Sequence, residues 1–353
     1  MTSMRILHAP ADVAGNAYGL SRAERELGLE SDVAIFVPSG LGYGYDFDLH
    51  AGIGVPVWQR MWRRLAFLRR AADRYDVFHF NFGQTILGVR QLGHVLDELA
   101  WLRRKNKTIL FTYQGSDVRP ADHCPCGSEE CRRVDRYRRP AAQRALHFAD
   151  RVFYQNPDLR QWLPGARFMP YASVDTRNFQ PRPLPDREDL VVAHAPTDRQ
   201  VKGTSHVIEA VEALRRQGVP IRLDLIEGVD RKTTLERIVE ADVLIDQLML
   251  GWYGTVATEA MALGRPVMAY IREDEPDDNP FGPRLPVVRT TAAMLAEDLR
   301  ALAADRRRRS ELASAGPAFV RDAHDPRRIA RDALEGLVEV PERGGSAPVA
   351  TPG

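Results

Sequence analysis

The sequence predicts an α/β protein with two Rossmann-like, doubly wound parallel-sheet domains that face each other across a cleft. In both halves, short apolar runs typical of buried parallel strands alternate with helical patterns. A proline-rich segment, Pro181 to Pro185, separates the halves and is the best candidate for an interdomain linker. At 353 residues, the chain is long enough for two domains. We expect domains at 1–178 and 179–320, a C-terminal helix at 321–340 that returns towards the first domain, and a disordered tail at 341–353.

The bulk composition carries no strong charge bias. Lysine and arginine number 49, against 48 aspartate and glutamate residues, which gives no global argument for a nucleic-acid partner. Three cysteines argue against a disulfide-stapled secreted protein. The chain passes from Met4 into the apolar pair Ile6–Leu7 without a signal-peptide pattern, and no apolar run approaches the roughly 18 residues of a membrane-spanning helix. We therefore expect a cytoplasmic protein.

The first half opens with a predicted strand, Arg5–Ala9, and a loop of small residues. Gly15 and Gly19 in that loop allow close approach of the backbone to a ligand, although they do not form GxGxxG, and a simple βα turn is the alternative. The segment GLGYGYDFD predicts an exposed loop. Further predicted elements are strands at Asp32–Val37, Asp76–Phe80, Thr108–Tyr113 and Arg151–Tyr154, and helices at about 20–27, 58–70, 93–105 and 141–148.

The segment Trp58–Arg70 predicts an arginine-rich amphipathic helix. Its apolar face carries Trp58, Met61, Trp62, Leu65 and Leu68. Tryptophans on a basic amphipathic helix are typical of a helix that lies in a membrane interface, which would bring the protein to the inner membrane face. Packing against a core produces the same stripe, so both interpretations stay open.

All three cysteines, Cys124, Cys126 and Cys131, lie within one short segment beside His123. Such a cluster could supply three or four ligands to a structural zinc ion. The spacing is not a C-x2-C pair, and His123 directly precedes Cys124. Reduced thiols in a loop are therefore the alternative.

The second half repeats the α/β order. Arg199 and Lys202 lie in a predicted loop between a strand and a helix, where cations could bind a diphosphate. An Arg/Lys pair alone is usually only solvated, so its position carries the argument. The predicted strands are Leu190–His194, Ile221–Ile226 and Val243–Ile245, with another from Val267, and the predicted helices lie at about 205–217, 233–240, 255–263, 291–315 and 325–338.

The stretch from Asp242 to Tyr270 predicts one complete βαβ unit. Its turn leads into a helix that begins at Thr255, where free backbone N–H groups can hold an anion. Glu259 lies about one turn inside that helix and could accept hydrogen bonds from sugar hydroxyls. A solvated helix position is the alternative for this glutamate.

The segments HAPTDRQVKGTSHVIEAVEAL and GWYGTVATEAMALGRPVMAY resemble the C-terminal half of a retaining GT-B glycosyltransferase of the family 4 type, also called glycosyl transferases group 1. The EAMALGRPV block is the most specific part. In the first half, the glycine loop at Gly15 and the segments DVFHF and FTYQGSDVR extend the resemblance, which covers roughly Met4 to Val338.

The resemblance implies that the C-terminal domain binds a nucleotide-sugar donor and the N-terminal domain binds the acceptor. Arg199 and Lys202 would neutralise the donor diphosphate, and Gln114 and Asp117 are further catalytic positions. Glu259 matches the second glutamate of a paired motif that binds the ribose. Such enzymes usually need no metal and transfer the sugar with retention. The implied donor-binding positions are Gly15, Asn16, Glu227, Gly251, Tyr253, Gly254, Thr255, Val256 and Glu259.

Two positions depart from the family pattern. Gly251 stands where the first glutamate of the pair belongs, and Gln114 stands where many members carry a histidine. Either the donor sugar differs from the common ones, or Asp246 or Asp117 replaces the missing carboxylate, or activity is lost.

The resemblance therefore predicts a glycosyltransferase that acts on a glycan, lipid-linked or small-molecule acceptor, in cell-surface polysaccharide or glycoconjugate assembly. A nucleotide-sugar epimerase of the same fold and a non-catalytic nucleotide-sugar-binding protein are the alternatives. No cofactor is expected for catalysis beyond the donor, and the cysteine cluster is the candidate for a structural zinc.

Overall fold

The computed structural model describes residues 4–38, 42–49, 55–88, 98–275 and 278–338. Within them the chain forms a seven-stranded sheet and a five-stranded sheet, and every described strand pair is parallel. The predicted α/β class with two parallel sheets is confirmed. Predictions that fall on 39–41, 93–97 and 339–353 lie outside the described residues.

The N-terminal sheet is buried on both faces, as expected for parallel strands covered by helices. Phe78, Ile109 and Phe111 from its central strands have no exposed surface. Its strands are β1 (Arg5–Ala9), β2 (Glu30–Ile35), β3 (Phe47–Asp48), β4 (Val77–Asn81), β5 (Thr108–Tyr113), β6 (Arg151–Tyr154) and β7 (Arg167–Phe168). Their spatial order is β3-β2-β1-β4-β5-β6-β7, with the crossover beside β1 that such sheets require.

The C-terminal sheet is smaller, and its central strand is equally buried. Its strands are β8 (Leu190–His194), β9 (Ile221–Leu225), β10 (Val243–Ile245), β11 (Val267–Ala269) and β12 (Val287–Arg289). They lie in the order β12-β11-β10-β8-β9. The carboxyl ends of β8 and β10 therefore lie side by side, which brings the loops that follow them together.

The described part of the chain contains eleven α-helices. The N-terminal half contains α1 (Asn16–Glu26), α2 (Val57–Arg74), α3 (Glu98–Arg104) and α4 (Glu129–Phe148). The rest are α5 (Arg199–Lys202), α6 (Thr204–Arg216), α7 (Arg231–Val239), α8 (Thr255–Ala262), α9 (Leu295–Ala304), α10 (Arg306–Ala323) and α11 (Pro326–Leu334).

Two helices differ from the prediction because polar side chains cap their first amides. The predicted loop at 199–202 is helix α5, since the Asp198 carboxylate accepts hydrogen bonds from the amides of Gln200 and Val201. The loop prediction for Arg199 and Lys202 was therefore wrong. Helix α4 begins well before its predicted start, because Ser128 Oγ accepts a hydrogen bond from the amide of Cys131.

Only part of the predicted apolar face of helix α2 is buried. Leu68 is buried in the N-terminal core, and Met61 and Leu65 pack partly against it. Trp58 and Trp62 are instead 62% exposed each. Across the described residues, no helix has the length and apolar character needed to cross a membrane. Interfacial contact through the two tryptophans stays a prediction.

The last helix, α11, packs on α1. Ile329, Ala330 and Ala333 share one buried cluster with Leu20 and Leu27. The helix that follows the second domain in sequence thus contributes to the packing of the first.

A buried histidine joins the two halves. The Tyr253 hydroxyl donates to Nε2 of His324 over 2.8 Å, and Nδ1 of His324 donates to the carbonyl of Tyr171 over 2.9 Å. Because His324 is fully buried, its pKa is lowered to about 4, even though the carbonyl hydrogen bond acts in the opposite direction. A neutral imidazole is therefore built into the contact between the halves.

We expect His324 to make the fold less stable as the pH falls from about 6.5 to about 4, because the unfolded chain binds a proton there and the folded chain does not. Full protonation of the unfolded state removes about 3 kcal/mol of stability. His324→Gln keeps a donor and an acceptor without titrating, so its unfolding free energy should vary less over this window in urea titrations. His147→Gln, at an exposed position, is the control and should follow the wild type. Identical pH profiles for His324→Gln and the wild type would contradict this assignment.

Candidate functional site

Three predicted or suspected site residues meet beside the carboxyl ends of β8 and β10. Lys202 ends α5 and is 9% exposed, and its Nζ lies 2.5 Å from Oδ1 of Asp246, which follows β10 and is 2% exposed. The amide of Gly254 donates to Oδ2 of the same aspartate. A Cβ at Gly254 would lie 2.9 Å from Lys202 Nζ, so a side chain there would push the ammonium out of this position. Asp246 therefore fixes both the lysine and the turn before α8.

The turn opens the N-terminus of α8 towards solvent. Gly254, Thr255 and Val256 are partly exposed, whereas the body of the helix is buried. Gly254 is the N-cap residue and offers no side chain to the first amides. The positive end of the helix dipole and free N–H groups therefore lie beside the Lys202 ammonium, an arrangement suited to a phosphate group.

Tyr253 is the exception among the predicted backbone contacts. Its side chain is fully buried and bonds His324, and its carbonyl lies 3.0 Å from the Tyr171 hydroxyl. Its described contacts are therefore with the packing between the halves.

Glu259 is buried and ion-paired. It is 4% exposed, and its Oε1 lies 2.6 Å from Nε of Arg231 at the start of α7. Burial raises the pKa of Glu259, and Arg231 opposes that rise. The structure thus rejects the solvated alternative, but the carboxylate already has a cationic partner.

Tyr43 spans the space between the glycine loop and this ion pair. A Cβ at Gly15 would lie 2.3 Å from Cδ1 of the tyrosine ring, so the ring rests directly on the Gly15 backbone. On its other side, the Arg231 guanidinium lies 5.4 Å from the ring centroid. Burial raises the pKa of Tyr43, and the Glu259 carboxylate adds to this rise. The tyrosine therefore bridges both halves at the expected donor position.

A cleft of about 1730 Å³ leads to Tyr43. It is lined by both halves, including Gly15, Tyr43 and Arg231, but not by Lys202 or Glu259. Tyr43 and Arg231 therefore form the boundary between the open cleft and the buried carboxylate.

On the N-terminal side, three amide side chains form a chain of hydrogen bonds. Gln114 Nε2 donates to Oε1 of Gln155 over 2.8 Å, and Gln155 Nε2 donates to Oδ1 of Asn16 over 3.3 Å. Asn16 also accepts from the amide of Ala172. Oε1 of Gln114 is buried and has no partner among the described residues, so its capacity to accept a hydrogen bond is unused.

Asp117 has a backbone role in the described structure. Its carboxylate accepts hydrogen bonds from the amides of Gln114 and Gly115, which holds the turn after β5. Burial raises its pKa, and these amides oppose the rise. Both carboxylates considered as replacements for the missing glutamate, Asp117 and Asp246, are thus engaged by neighbouring groups.

Arg199 and Glu227 form an exposed pair at the rim. The guanidinium makes two contacts with the carboxylate, of 2.7 and 2.5 Å, and the arginine side chain is 61% exposed. Glu227 raises the pKa of Arg199, and the pKa of Glu227 is lowered in turn. Of the two predicted cations, only Lys202 lies beside the helix N-terminus.

Gly251 has a conformational reason to be glycine. Its φ is +69°, in the left-handed region, and a Cβ there would lie 3.0 Å from Cβ of Arg272. A glutamate at this position would be strained, whatever its effect on a bound sugar.

We expect Gly251→Glu to destabilise the protein and not to improve donor use, because a non-glycine residue at this φ costs about 1–2 kcal/mol. Gly251→Asn is the matched control and should lose less stability, since asparagine tolerates the left-handed conformation. Urea denaturation measures both. A Gly251→Glu protein as stable as the wild type would show that this backbone can relax.

The structure brings the three cysteines together and leaves His123 apart. The sulfur atoms of Cys124, Cys126 and Cys131 all lie within 4.8 Å of one another. His123 is instead hydrogen-bonded to Asp122 over 2.8 Å, with a side chain that is 55% exposed.

Sequence reasoning missed Tyr43 and Arg231 and mentioned Asp246 only as a substitute. The tyrosine lies in a segment predicted to be a plain exposed loop, and no spacing links it to Gly15 or Arg231. The Lys202–Asp246 pair joins residues 44 positions apart. A buried aspartate directly after a buried strand was the one signal available for Asp246.

Comparisons with known proteins agree on the fold. No family model matches the chain, and neither does any curated protein. Among solved structures, sucrose-phosphate synthase from Thermosynechococcus elongatus is 18% identical, with a TM-score of 0.63 over 94% of this chain and 97% of that one. HepE from Anabaena, in complex with UDP-glucose, is 13% identical, with a TM-score of 0.61 over 95% and 99%.

A third solved structure, a putative UDP-N-acetylglucosamine 2-epimerase from Listeria monocytogenes, is 15% identical, with a TM-score of 0.56 over 94% and 95%. The chain therefore has the two-domain GT-B architecture that these proteins share. At such identities the comparison establishes the fold alone, because one fold hosts many chemistries.

Proposed function

We propose that this GT-B protein is a glycosyltransferase that moves a sugar from a nucleotide-sugar donor to an acceptor with retention of configuration. One observation carries the proposal: Lys202, Asp246 and the open N-terminus of α8 converge beside Glu259 on the same helix. A cation, a helix dipole and a carboxylate one turn further on suit a diphosphate linked to a ribose.

In the proposed reaction, the donor diphosphate lies at the N-terminus of α8. The Lys202 ammonium and the amides of Thr255 and Val256 stabilise the negative charge that develops as the nucleoside diphosphate departs. Asp246 accepts hydrogen bonds from the Lys202 ammonium and from the Gly254 amide. Both groups are therefore held in place before the nucleotide sugar binds. Arg199 at the rim adds long-range attraction for the anionic donor.

The sugar and ribose are assigned to groups on the two sides of the cleft. Glu259 accepts hydrogen bonds from the ribose hydroxyls while it remains ion-paired with Arg231. Gln114 Oε1, buried and without a partner among the described residues, accepts from a hydroxyl of the donor sugar. Retention without a metal cofactor follows the family that the sequence resembles, in which the leaving phosphate takes the acceptor proton. The acceptor is assigned to the N-terminal domain. The pathway assigned to the enzyme is cell-surface glycan assembly.

The histidines favour transfer over epimerisation. An epimerase would need titrating side chains in the cleft, but His8, His79, His194 and His324 are at most 1% exposed. Burial lowers the pKa of His79 and of His194. The burial of these four imidazoles away from the cleft supports the transferase proposal.

A panel of UDP-, GDP-, dTDP- and ADP-sugars tests the proposal. We expect release of nucleoside diphosphate from one donor, faster with an acceptor than with water alone, and retention seen by NMR of the product. Lys105→Ala, which alters an exposed lysine that does not line the cleft, is the control for nonspecific charge effects. Conversion of the sugar on an intact nucleotide would indicate an epimerase. Measurable nucleotide binding with no turnover of any donor would indicate a binding protein.

A further inference from the structure

The cysteine loop, residues 121–131, combines two features that the proposed transfer reaction does not use. It contains every cysteine of the chain, and it reaches across to the second half of the molecule. All three cysteines are unpaired by disulfides.

The three sulfur atoms already approximate a metal tripod. Zinc–sulfur bonds of about 2.3 Å in a tetrahedron place sulfur atoms about 3.8 Å apart. Here the three Sγ atoms lie within 4.8 Å of one another, and Cys124 and Cys126 are 3.1 Å apart. Sub-ångström adjustments would give zinc-binding geometry.

Local structure explains why the cysteine loop holds this shape. Gly127 has a φ of +55°, which turns the chain between Cys126 and the start of α4. Ser128 then caps α4, which places Cys131 in the first turn of that helix. Cys131 is buried, and Cys124 and Cys126 are half-buried.

A buried cation complements the charge of such a centre. Zn²⁺ with three thiolates carries a net charge of −1. Nη2 of Arg138, which is 6% exposed, donates to Cys131 Sγ over 3.0 Å, while its Nη1 donates to the carbonyl of Arg119 and contacts Asp135. A guanidinium placed against one of the sulfur atoms would offset the negative charge of such a centre.

We propose that Cys124, Cys126 and Cys131 bind a zinc ion as three thiolate ligands, and that this ion holds the cysteine loop against helix α5. His123 is not a ligand, because its ring faces Asp122 and Trp162, and solvent occupies the fourth position.

The contact with α5 is direct. A Cβ at Gly127 would lie 3.0 Å from Nε2 of Gln200, so the tip of the cysteine loop touches the short helix that carries Arg199 and Lys202. The zinc ion would thus set how firmly the first half of the molecule holds the cationic helix of the second. Its effect on donor binding rests on the proposed transferase function, whereas zinc binding itself does not.

Metal analysis tests the ligand set. Protein purified without chelator should contain about one zinc ion per chain. Cys124→Ser, Cys126→Ser and Cys131→Ser should each lose it, and His123→Ala should retain it. Cobalt substitution should give thiolate-to-cobalt absorption bands in the wild type and in His123→Ala only. Substoichiometric metal with three titratable thiols, a Cys124–Cys126 disulfide in mass spectra, or loss of metal from His123→Ala would overturn the proposal.

Hydrogen exchange tests the second part without requiring activity or a folded cysteine variant. Removal of zinc from the wild type by a chelator should speed exchange in residues 121–131 and in 199–202, and added zinc should reverse both effects. Exchange in β9 serves as the internal control and should not change. Faster exchange in 121–131 alone would overturn the link to α5. A protein that binds zinc but turns over no donor would reject the transferase and keep the zinc site.

Discussion

Lys202→Ala should lower kcat for donor turnover by about 10²–10³-fold, the usual cost of removing one group that stabilises charge in a transition state. Lys202 is the cation that lies beside the N-terminus of α8, and its ammonium is fixed 2.5 Å from Asp246. Steady-state release of nucleoside diphosphate measures the loss. Lys105→Ala, in which the altered side chain is exposed and does not line the cleft, should retain wild-type turnover.

Lys202→Ala is also expected to lower the free energy of unfolding. A second variant is therefore needed to separate loss of activity from loss of stability. Removing one member of a buried ion pair costs about 3–5 kcal/mol, because Asp246 would keep an uncompensated charge. The double variant Lys202→Met with Asp246→Asn removes both charges and keeps an acceptor for the Gly254 amide. It should stay folded by circular dichroism yet show the full loss of turnover. A folded double variant with wild-type kinetics would remove Lys202 from the reaction.

Tyr43→Ala should strengthen nucleotide binding by about tenfold. The ring lies between Gly15 and Arg231, where the donor is expected, so the donor must displace it. Its cation–π contact with Arg231 contributes about 1–2 kcal/mol where it is shielded from water, and about 1.4 kcal/mol corresponds to tenfold in affinity. Calorimetric titration of the nucleotide measures the change.

Two variants separate the ring from its hydroxyl and from the rest of the loop. Tyr43→Phe keeps the ring and its cation–π contact and removes only the hydroxyl, so its gain in affinity should be smaller. Tyr45→Ala alters an exposed neighbour in the same segment and should leave affinity unchanged. Weaker binding by Tyr43→Ala would mean that the tyrosine holds the donor instead of competing with it.

The fold class could be predicted from the sequence because each buried strand is a recognisable apolar run. Thr108–Tyr113 and Leu190–His194 are short, mainly apolar runs typical of buried parallel strands, and the structure reproduces both boundaries. Helix α5 escaped prediction because RQVK is too short to show a helical period, and only the Asp198 cap defines it.

The candidate site was only partly predictable, for geometric reasons. Glycines and charged residues at loop positions pointed to Lys202, Gly254 and Glu259, because parallel sheets place such loops at one edge. The partners of those residues come from distant segments, so no spacing reveals them. Arg231 and Glu259 form an ion pair although they are 28 positions apart in the sequence. Tyr43, which contacts Arg231, comes from the other half of the chain. The φ of Gly251 is likewise set by tertiary packing.

The placement of helix α11 has a mechanical consequence. The chain passes between the two sheets twice, once between β7 and β8 and once between α10 and α11. The hydrogen bond from His324 to Tyr171 ties these passages together, although they are 153 positions apart. Two domains connected at two neighbouring points can rotate relative to each other mainly about the axis through those points. We therefore expect the cleft to open and close by rotation about this one axis. A chimera that exchanges the second domain would therefore have to keep α11 with the first, as a separately spliced piece.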